Sequence, residues 1–409
     1  MNILFLHQNF PGQFRHLAPA LAASGHRVKA LALRDGAVPP GVEKHVYTIK
    51  RPAAKETHPL LRESESKVLR GEACAAAMLK LAADGFVPEL VIANPGWGEA
   101  LFAKDVFPRA RLLCLLEFFY GTAGADFGFD PEFGLPTLDA SLRHRMKNLA
   151  LVEALLAMDH GVVPTPWQAS RLPAGFRTKL DVIFDGIDTR QVRPDPTARF
   201  ALPQAGLELA PGDPVVTFVN RNLEPYRGYH SFMRALPEVL RRAPQAQILI
   251  VGADGVSYGA AAPAGTTWKQ RFLDEVKDRL DLSRVHFLGQ LPYARFLQLL
   301  QVSAAHVYLT YPFVLSWSCL EAMSAGCHVI GSRTAPVMDY LEDGVNGTLV
   351  DFFDPQGLAE AVVGVLERRG HDGALRAAAR QTAVERCDLH QVCLPRWRAL
   401  LSRQMGQVV

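Results

Sequence analysis

Short apolar runs of strand length alternate with longer segments of helical period along this chain, and they do so in two separate series. In the first, Asn2–Leu6, His26–Leu33, Leu90–Ala93 and Arg111–Leu116 read as strands, with helices predicted around Gln13–Ala23 and Ser64–Asp84. In the second, Val215–Asn220, Gln247–Val251, Val285–Leu288, Ala305–Leu309 and His328–Ile330 are separated by helical patterns over Tyr229–Arg242, Lys269–Leu280, Tyr293–Gln301 and Ser318–Ala325. Such alternation builds βαβ units, and βαβ units build parallel sheets with helices on both faces. Between the series lies Ile183–Asp188 and then Val192–Pro214, whose proline and glycine content predicts a linker. A chain of 409 residues also exceeds the roughly 250–300 residues at which single cores stop growing. The expectation is therefore α/β, with two Rossmann-like doubly wound domains over 1–188 and 189–388, facing across a crevice with a hinge near Asp188. Leu389–Gln404 carries Val392, Leu394, Trp397, Leu400 and Leu401 at helical spacing, which predicts a terminal helix (389–409) returning to the first domain.

Composition narrows the class. With 49% hydrophobic and 21% charged residues, 32 Gly and 28 Pro, the chain can bury a sizeable core, which excludes disordered, collagen-like and coiled-coil classes. The net charge of +3, without a long Lys/Arg block, gives no footprint for nucleic acid. Cys74, Cys114, Cys319, Cys327, Cys387 and Cys393 form no CxxC pair, so neither a disulfide framework nor a structural zinc is expected, and a reducing, cytoplasmic setting is. Met1–His7 has no basic flank and only four apolar residues in a row, which suits a strand rather than a secretion signal. Phe296–Leu320 is uncharged but interrupted by Gln, Ser, His, Thr and Pro312, too broken to cross a bilayer. The basic stretches Lys50–Arg70 and Arg143–Lys147 have two readings, a solvated helix face or a peripheral contact with anionic headgroups at the inner membrane surface. Oligomeric state is not legible.

The residues with chemistry lie where strands end. Ser316, Trp317 and Ser318 lead from the strand Ala305–Leu309 into a helix, where backbone amides and the positive end of the helix dipole suit a phosphate. Glu321 follows, with a carboxylate suited to a pair of ribose hydroxyls; the alternative is that Ser318-Cys-Leu-Glu321 is only a capping box. In the first series, Trp97 and Glu99 belong to the loop after Leu90–Ala93, at the carboxyl end where open α/β sheets bind ligands. Trp97 either stacks on a sugar ring or roofs the core. Glu117 ends the strand Arg111–Leu116, an ionisable group at an apolar strand end where burial raises a carboxyl pKa. It accepts a proton, binds a hydroxyl or makes a structural ion pair. Tyr120 and Asp126 lie in or beside the Gly- and aromatic-rich stretch Ala123–Pro136, a long loop of the kind that is usually functional. The placed loops contain no DxD, HxxxH or Cys/His cluster, so neither a metal nor a bound cofactor is expected.

Glu321-Ala-Met-Ser-Ala-Gly-Cys-His-Val-Ile330 resembles the GT-B glycosyltransferases of family 4, a group that includes glycogen synthase-like and phosphatidylinositol mannosyltransferase-like enzymes. Their motif is Glu-x7-Glu followed by Ala-Met-Ala-x-Gly-x-Pro-Val-Val, and this chain departs from it at the first Glu, where Phe313 stands. A second block, Phe218-Val-Asn-Arg221-Asn-Leu-Glu-Pro-Tyr-Arg227-Gly228, is similar to the family's strand, Gly-Arg and Lys-Gly loop with one residue inserted; in isolation the two arginines would read as solvated surface cations. Ile250-Val-Gly252, Val285-His-Phe-Leu-Gly289 and Val345–Asp351 continue the likeness in family order. The resemblance implies a GT-B architecture that binds a nucleotide-diphosphate sugar on the second domain and a hydroxyl acceptor (glycan, lipid-linked sugar or small molecule) on the first. It assigns Arg221 and Arg227 to the donor diphosphate, Gly289 to the passage of the nucleotide base, and Gly12, in the first βα turn, to close approach of the donor phosphate. Glu117 stands where many members present a histidine. Retention of anomeric configuration without a metal is implied. Two alternatives share the architecture: a sugar-nucleotide sensor or inactive partner subunit, and a sugar-nucleotide epimerase, which needs more acid/base groups than Glu117 and Glu321 provide.

Overall fold

The computed structural model describes residues 1–407 and divides into two compact units, Met1–Gly186 with Leu389–Val409, and Ile187–Asp388. The first crossing thus falls just before Ile187 rather than after Asp188. Ile187 pairs with Asp388 in an isolated parallel bridge and donates its N–H to the Cys387 carbonyl at 2.8 Å, while Thr189 donates its hydroxyl to the Asp388 carboxylate. These bonds tie Ile187–Thr189 to the second unit.

The first unit holds a seven-stranded sheet, all parallel, made of β1 (Asn2–Leu6), β2 (Arg27–Ala32), β3 (Val42–Val46), β4 (Leu90–Ala93), β5 (Arg111–Leu115), β6 (His160–Val163) and β7 (Leu180–Val182). Its order is β3-β2-β1-β4-β5-β6-β7, so the winding reverses between β1 and β4, the point at which open α/β sheets place their ligands. Buried strands covered on both faces read as continuous apolar runs, and β1 shows why. Ile3 and Phe5 pack with Phe14, Ile92 and Trp397 on one face, whereas Leu4 and Leu6 pack with Met78, Phe86 and Val91 on the other. The helices are α1 (Leu17–Ala23), α2 (Arg62–Ala83), α3 (Ala103–Val106), α4 (Leu138–Met146), α5 (Leu149–Ala157) and α6 (Pro166–Arg171). The chain's last helix, Leu394–Met405, buries Trp397, Leu400 and Leu401 in the β1 core of this unit.

In the second unit the stretch expected to be a linker instead contains a hairpin, β8 (Phe200–Leu202) and β9 (Leu207–Leu209). Pro203–Gly206 turns the chain between strands, and Phe200, Leu202 and Leu209 are buried. The main sheet has six parallel strands, β10 (Val215–Asn222), β11 (Gln247–Ala253), β12 (Val285–Phe287), β13 (Ala305–Tyr308), β14 (His328–Ser332) and β15 (Thr348–Val350), ordered β12-β11-β10-β13-β14-β15. Here too the winding reverses beside the first strand, between β10 and β13. Its helices are α7 (Tyr229–Arg242), α8 (Trp268–Val276), α9 (Tyr293–Gln301), α10 (Trp317–Ser324), α11 (Ala335–Met338), α12 (Pro355–Glu367) and α13 (Gly373–Cys387), and the terminal helix is α14. Among the described residues no helix is long and apolar enough to cross a membrane, and all six cysteines are free and buried.

Candidate functional site

The second unit carries a cleft of about 570 Å³ at the carboxyl ends of its strands, with Arg221, Arg227, Ser257, Tyr258, Tyr293, Ser316 and Ser318 in its wall. The turn from β10 into α7 places Arg227. Gly228 takes φ +70°, and a Cβ there would stand 2.3 Å from the Leu309 Cβ, so the turn crosses β13 at a distance only glycine allows. Arg227 is 4% exposed. Its Nη1 donates to Thr310 Oγ1 at 2.7 Å, Tyr308 Oη at 3.2 Å and the Val314 carbonyl at 3.2 Å, and the Tyr258 ring centroid lies 4.9 Å from the guanidinium carbon. Burial works against its charge, but the surrounding tyrosine hydroxyls, Tyr308 first, outweigh this and hold its pKa above the ordinary value. Among the described residues no carboxylate pairs with it. The cation is thus held charged by neutral hydroxyls and a carbonyl, which leaves its charge to be matched by an anion in the cleft. Arg221 lies exposed at the end of β10 in the same wall.

The N-cap of α10 is Ser316, two residues before the Ser318 that a capping box would need, and the difference removes the box. Ser316 has extended backbone and an Oγ that accepts from Ser318 N at 3.4 Å. Glu321 therefore sits in the second turn rather than the first, too far along to be the third-position partner of a capping box. It is buried, and its Oε1 accepts from Tyr293 Oη at 2.8 Å. Tyr293, on α9, is 40% exposed and forms cleft wall in front of it. Gly289 is exposed with φ +62° next to the lining residue Gln290, and Trp317 is half-buried; neither is part of the wall. Phe313, where the resemblance has a carboxylate, is buried edge-on to Tyr226, at 5.2 Å between ring centroids, and 5.2 Å from Tyr258.

In the first unit, side chains from the ends of β1, β4 and β5 meet at the winding reversal. His7 Nδ1 accepts from Asn9 N–H at 3.0 Å, so Nε2 carries the proton and donates to Gln13 Oε1 at 2.8 Å. Gln13 Nε2 donates to Glu117 Oε1, and Asn94 Nδ2 to Glu117 Oε2 at 2.8 Å. Gln168 Nε2 holds the Glu117 carbonyl. Burial pushes the His7 pKa down to about 4, which keeps it the neutral relay this chain of bonds requires. Gly12 packs on the His7 ring, where a Cβ would stand 2.4 Å from Cε1. The half-buried Trp97 meets the same ring edge-on at 5.0 Å. The Trp97 carbonyl accepts from Arg70 Nε at 3.0 Å, and Arg70 Nη1 reaches Gln8 Oε1 at 3.2 Å.

Glu99 departs from its expected place in an acceptor loop. It is 0% exposed, accepts from Tyr47 Oη at 2.6 Å, and has its pKa raised by burial. Gly98, with φ +106° and no room for a Cβ beside the Lys67 backbone, turns the chain inward immediately before it. Tyr120 is held through its backbone N–H and carbonyl by Asn148 and borders a separate pocket of about 450 Å³ with Thr122, Arg145 and Leu149. Asp126 is half-buried in the loop near His144. Sequence reading passed over His7, Gln13, Asn94, Gln168 and Arg70. Their common signal is a polar residue just past a strand end, or on the helix that follows.

Two family models divide the chain between them. Residues 24–192 match the "Glycosyl transferase family 4 group" and residues 204–382 match "Glycosyl transferases group 1". The chain belongs to the GT-B glycosyltransferases of family 4. Among curated relatives of this family-4 chain, a D-inositol 3-phosphate glycosyltransferase of Nocardia farcinica is 30% identical over 205 residues, 49% of this chain and 43% of the relative. A phosphatidyl-myo-inositol mannosyltransferase of Mycolicibacterium smegmatis is 32% identical over 178 residues, 42% of this chain and 40% of the relative. The family-4 chain thus matches less than half the length of either. Anabaena HepE, solved with UDP and glucose, superposes with a TM-score of 0.67 at 19% identity, covering 98% of this chain and 100% of its own, a likeness of fold.

Proposed function

We propose that the protein transfers a sugar, a hexose in the first instance, from a nucleotide-diphosphate sugar to a hydroxyl acceptor. The observation that carries this reading is Arg227, a buried guanidinium without a carboxylate partner, opening on a cleft that also holds Arg221 and the amino end of α10. Donors so arranged stabilise charge as it develops on a departing diphosphate, the kind of fixed electrostatic term that dominates many enzymes. Glu321 with Tyr293 takes the ribose. In the first unit Glu117, oriented by Gln13 and Asn94, takes the acceptor hydroxyl and its proton, and Trp97 flanks the acceptor. The acceptor oxygen bonds the anomeric carbon on the face from which the diphosphate leaves, while Glu117 takes the hydroxyl's proton, so the reaction retains configuration and needs neither an enzyme nucleophile nor a metal. The names of the two curated relatives, an inositol phosphate and a phosphatidylinositol enzyme, support a polyol acceptor bearing phosphate. The exposed Arg143 and Arg145 of α4 support peripheral contact with the cytoplasmic face of a membrane.

Phe313 favours a second reading, a protein that binds the nucleotide sugar without turnover. A panel of UDP-, GDP-, ADP- and dTDP-sugars in thermal shift identifies the donor, since selective binding raises the melting temperature. Release of the nucleoside diphosphate on addition of polyol and lipid-linked acceptors then separates the readings. Binding without release on any acceptor leaves the sensor, and no shift with any donor removes both.

A further inference from the structure

Between β11 and α8 the chain runs through a long loop, residues 254–267, whose first half folds back on the donor cleft. Three observations fix it. Glu224, 1% exposed, spends its carboxylate on this loop: Oε1 accepts from Ser257 N at 3.1 Å, and Oε2 accepts from Tyr258 N at 3.3 Å and Gly259 N at 3.1 Å. Asn222 accepts from Gly255 N at 3.1 Å and donates to Ser257 Oγ at 2.7 Å. Trp268 Nε1 closes the far side on the Ala260 carbonyl at 2.8 Å. A buried carboxylate given wholly to backbone amides is an expensive way to hold a surface loop, because each charged hydrogen bond must outweigh the loss of hydration. The loop's position has a consequence. It lays the Tyr258 ring over the Arg227 guanidinium and against Phe313, yet leaves Tyr258 41% exposed, with Ser257 beside it in the cleft wall.

We infer that Tyr258 is a contact for the transferred sugar, and that Glu224 is a positioning residue acting through it. The inference rests on the reading of Arg227 as the diphosphate ligand. The sugar is bonded to the terminal phosphate, so the group that covers the phosphate's cation lies within one sugar ring of it. Phe313, which backs the Tyr258 ring, offers no polar atom, so the polar contact with the sugar comes from the strand-end loop. The recognised class is the hexose moiety of a nucleotide-diphosphate sugar, held by a phenol hydroxyl and an aromatic face instead of a carboxylate.

The test is the ratio of dissociation constants for a nucleoside diphosphate and its glucose ester, measured by calorimetry with UDP/UDP-glucose, GDP/GDP-glucose and ADP/ADP-glucose, on the full chain and two variants. Tyr258→Phe keeps the ring on Arg227 and removes the hydroxyl with its interaction with the guanidinium. It is expected to weaken the sugar ester about three- to tenfold more than the diphosphate, the range of one lost hydrogen bond. Glu224→Gln is expected to shift the ratio the same way and to speed amide exchange at 257–259. If Glu224 were only structural, its substitution would lower the melting temperature and leave the ratio unchanged. A ratio unchanged in both variants overturns the inference while the donor reading stands. A wild-type chain that binds none of the three pairs, nor dTDP and dTDP-glucose, overturns the donor reading and this inference with it.

Discussion

Replacing Arg227 by Met separates a phosphate ligand from a structural arginine, because the two roles make different demands on stability. The side chain is 4% exposed and has no carboxylate partner among the described residues, so removing its charge gives back the desolvation of a buried cation together with the tyrosine interactions that outweigh it. Three acceptors lose a donor. Two are hydroxyls with other bonds: Tyr308 Oη also accepts from Ser316 N at 2.8 Å, and Thr310 Oγ1 donates to the Tyr311 carbonyl at 3.0 Å. Only the Val314 carbonyl loses its donor outright, about 1–3 kcal/mol if it stays dry. Arg227→Met is therefore expected to unfold in urea at a free energy no more than about 3 kcal/mol below wild type. A charge-assisted contact to phosphate is worth about 1.5–3 kcal/mol, so calorimetry should show nucleoside diphosphate affinity falling at least tenfold. A variant that loses more than about 3 kcal/mol of stability while binding the diphosphate as wild type does would make Arg227 a strut and refute the reasoning.

Glu321→Gln keeps an acceptor for the Tyr293 hydroxyl, so the melting temperature should hold while nucleotide affinity falls; a drop in stability with unchanged affinity would return Glu321 to a structural role. If Glu117 takes the acceptor's proton as proposed, Glu117→Gln should leave diphosphate affinity within about twofold and reduce turnover at least tenfold on whichever acceptor is used. His7 has its pKa lowered by burial to about 4 from 6.5, so the unfolded chain gains a proton between those values that the folded chain refuses. The stability maintained above pH 6.5 is therefore lost as pH falls towards 4, by about 3 kcal/mol from this group. His7→Gln should flatten the pH profile of urea unfolding by that amount relative to wild type; two superimposable profiles would contradict the burial argument.

The strands were legible because buried parallel strands need apolar residues on both faces, and β1 and β10 have them. The neighbourhood of Arg221, Arg227, Ser316 and Ser318 was legible as well, since they lie at or just past strand ends, and the fold brings them into the wall of one cleft. What local sequence hid has local causes. Ser316 and Ser318 are both good caps, and only the backbone turn at Ser316 decides between them. Glu99 stands two residues from Trp97, but Gly98 reverses the chain and sends it into the core. The hairpin at 200–209 was masked because its turn carries the same proline and glycine as an open linker. The His7, Gln13, Glu117 and Asn94 network joins residues up to 110 positions apart, and no periodicity encodes such a meeting. Arg227's burial is of the same kind, since it depends on Tyr258, Tyr308 and Val314 closing over it.

A crystal structure of the chain with the nucleoside diphosphate that binds it best tests the donor assignment most directly. The diphosphate oxygens are expected within hydrogen-bond distance, about 2.7–3.2 Å, of Arg227 and Arg221, with the ribose beside Glu321 and Tyr293. Density for the diphosphate anywhere else, or a cleft without it at saturating concentration, would contradict the assignment.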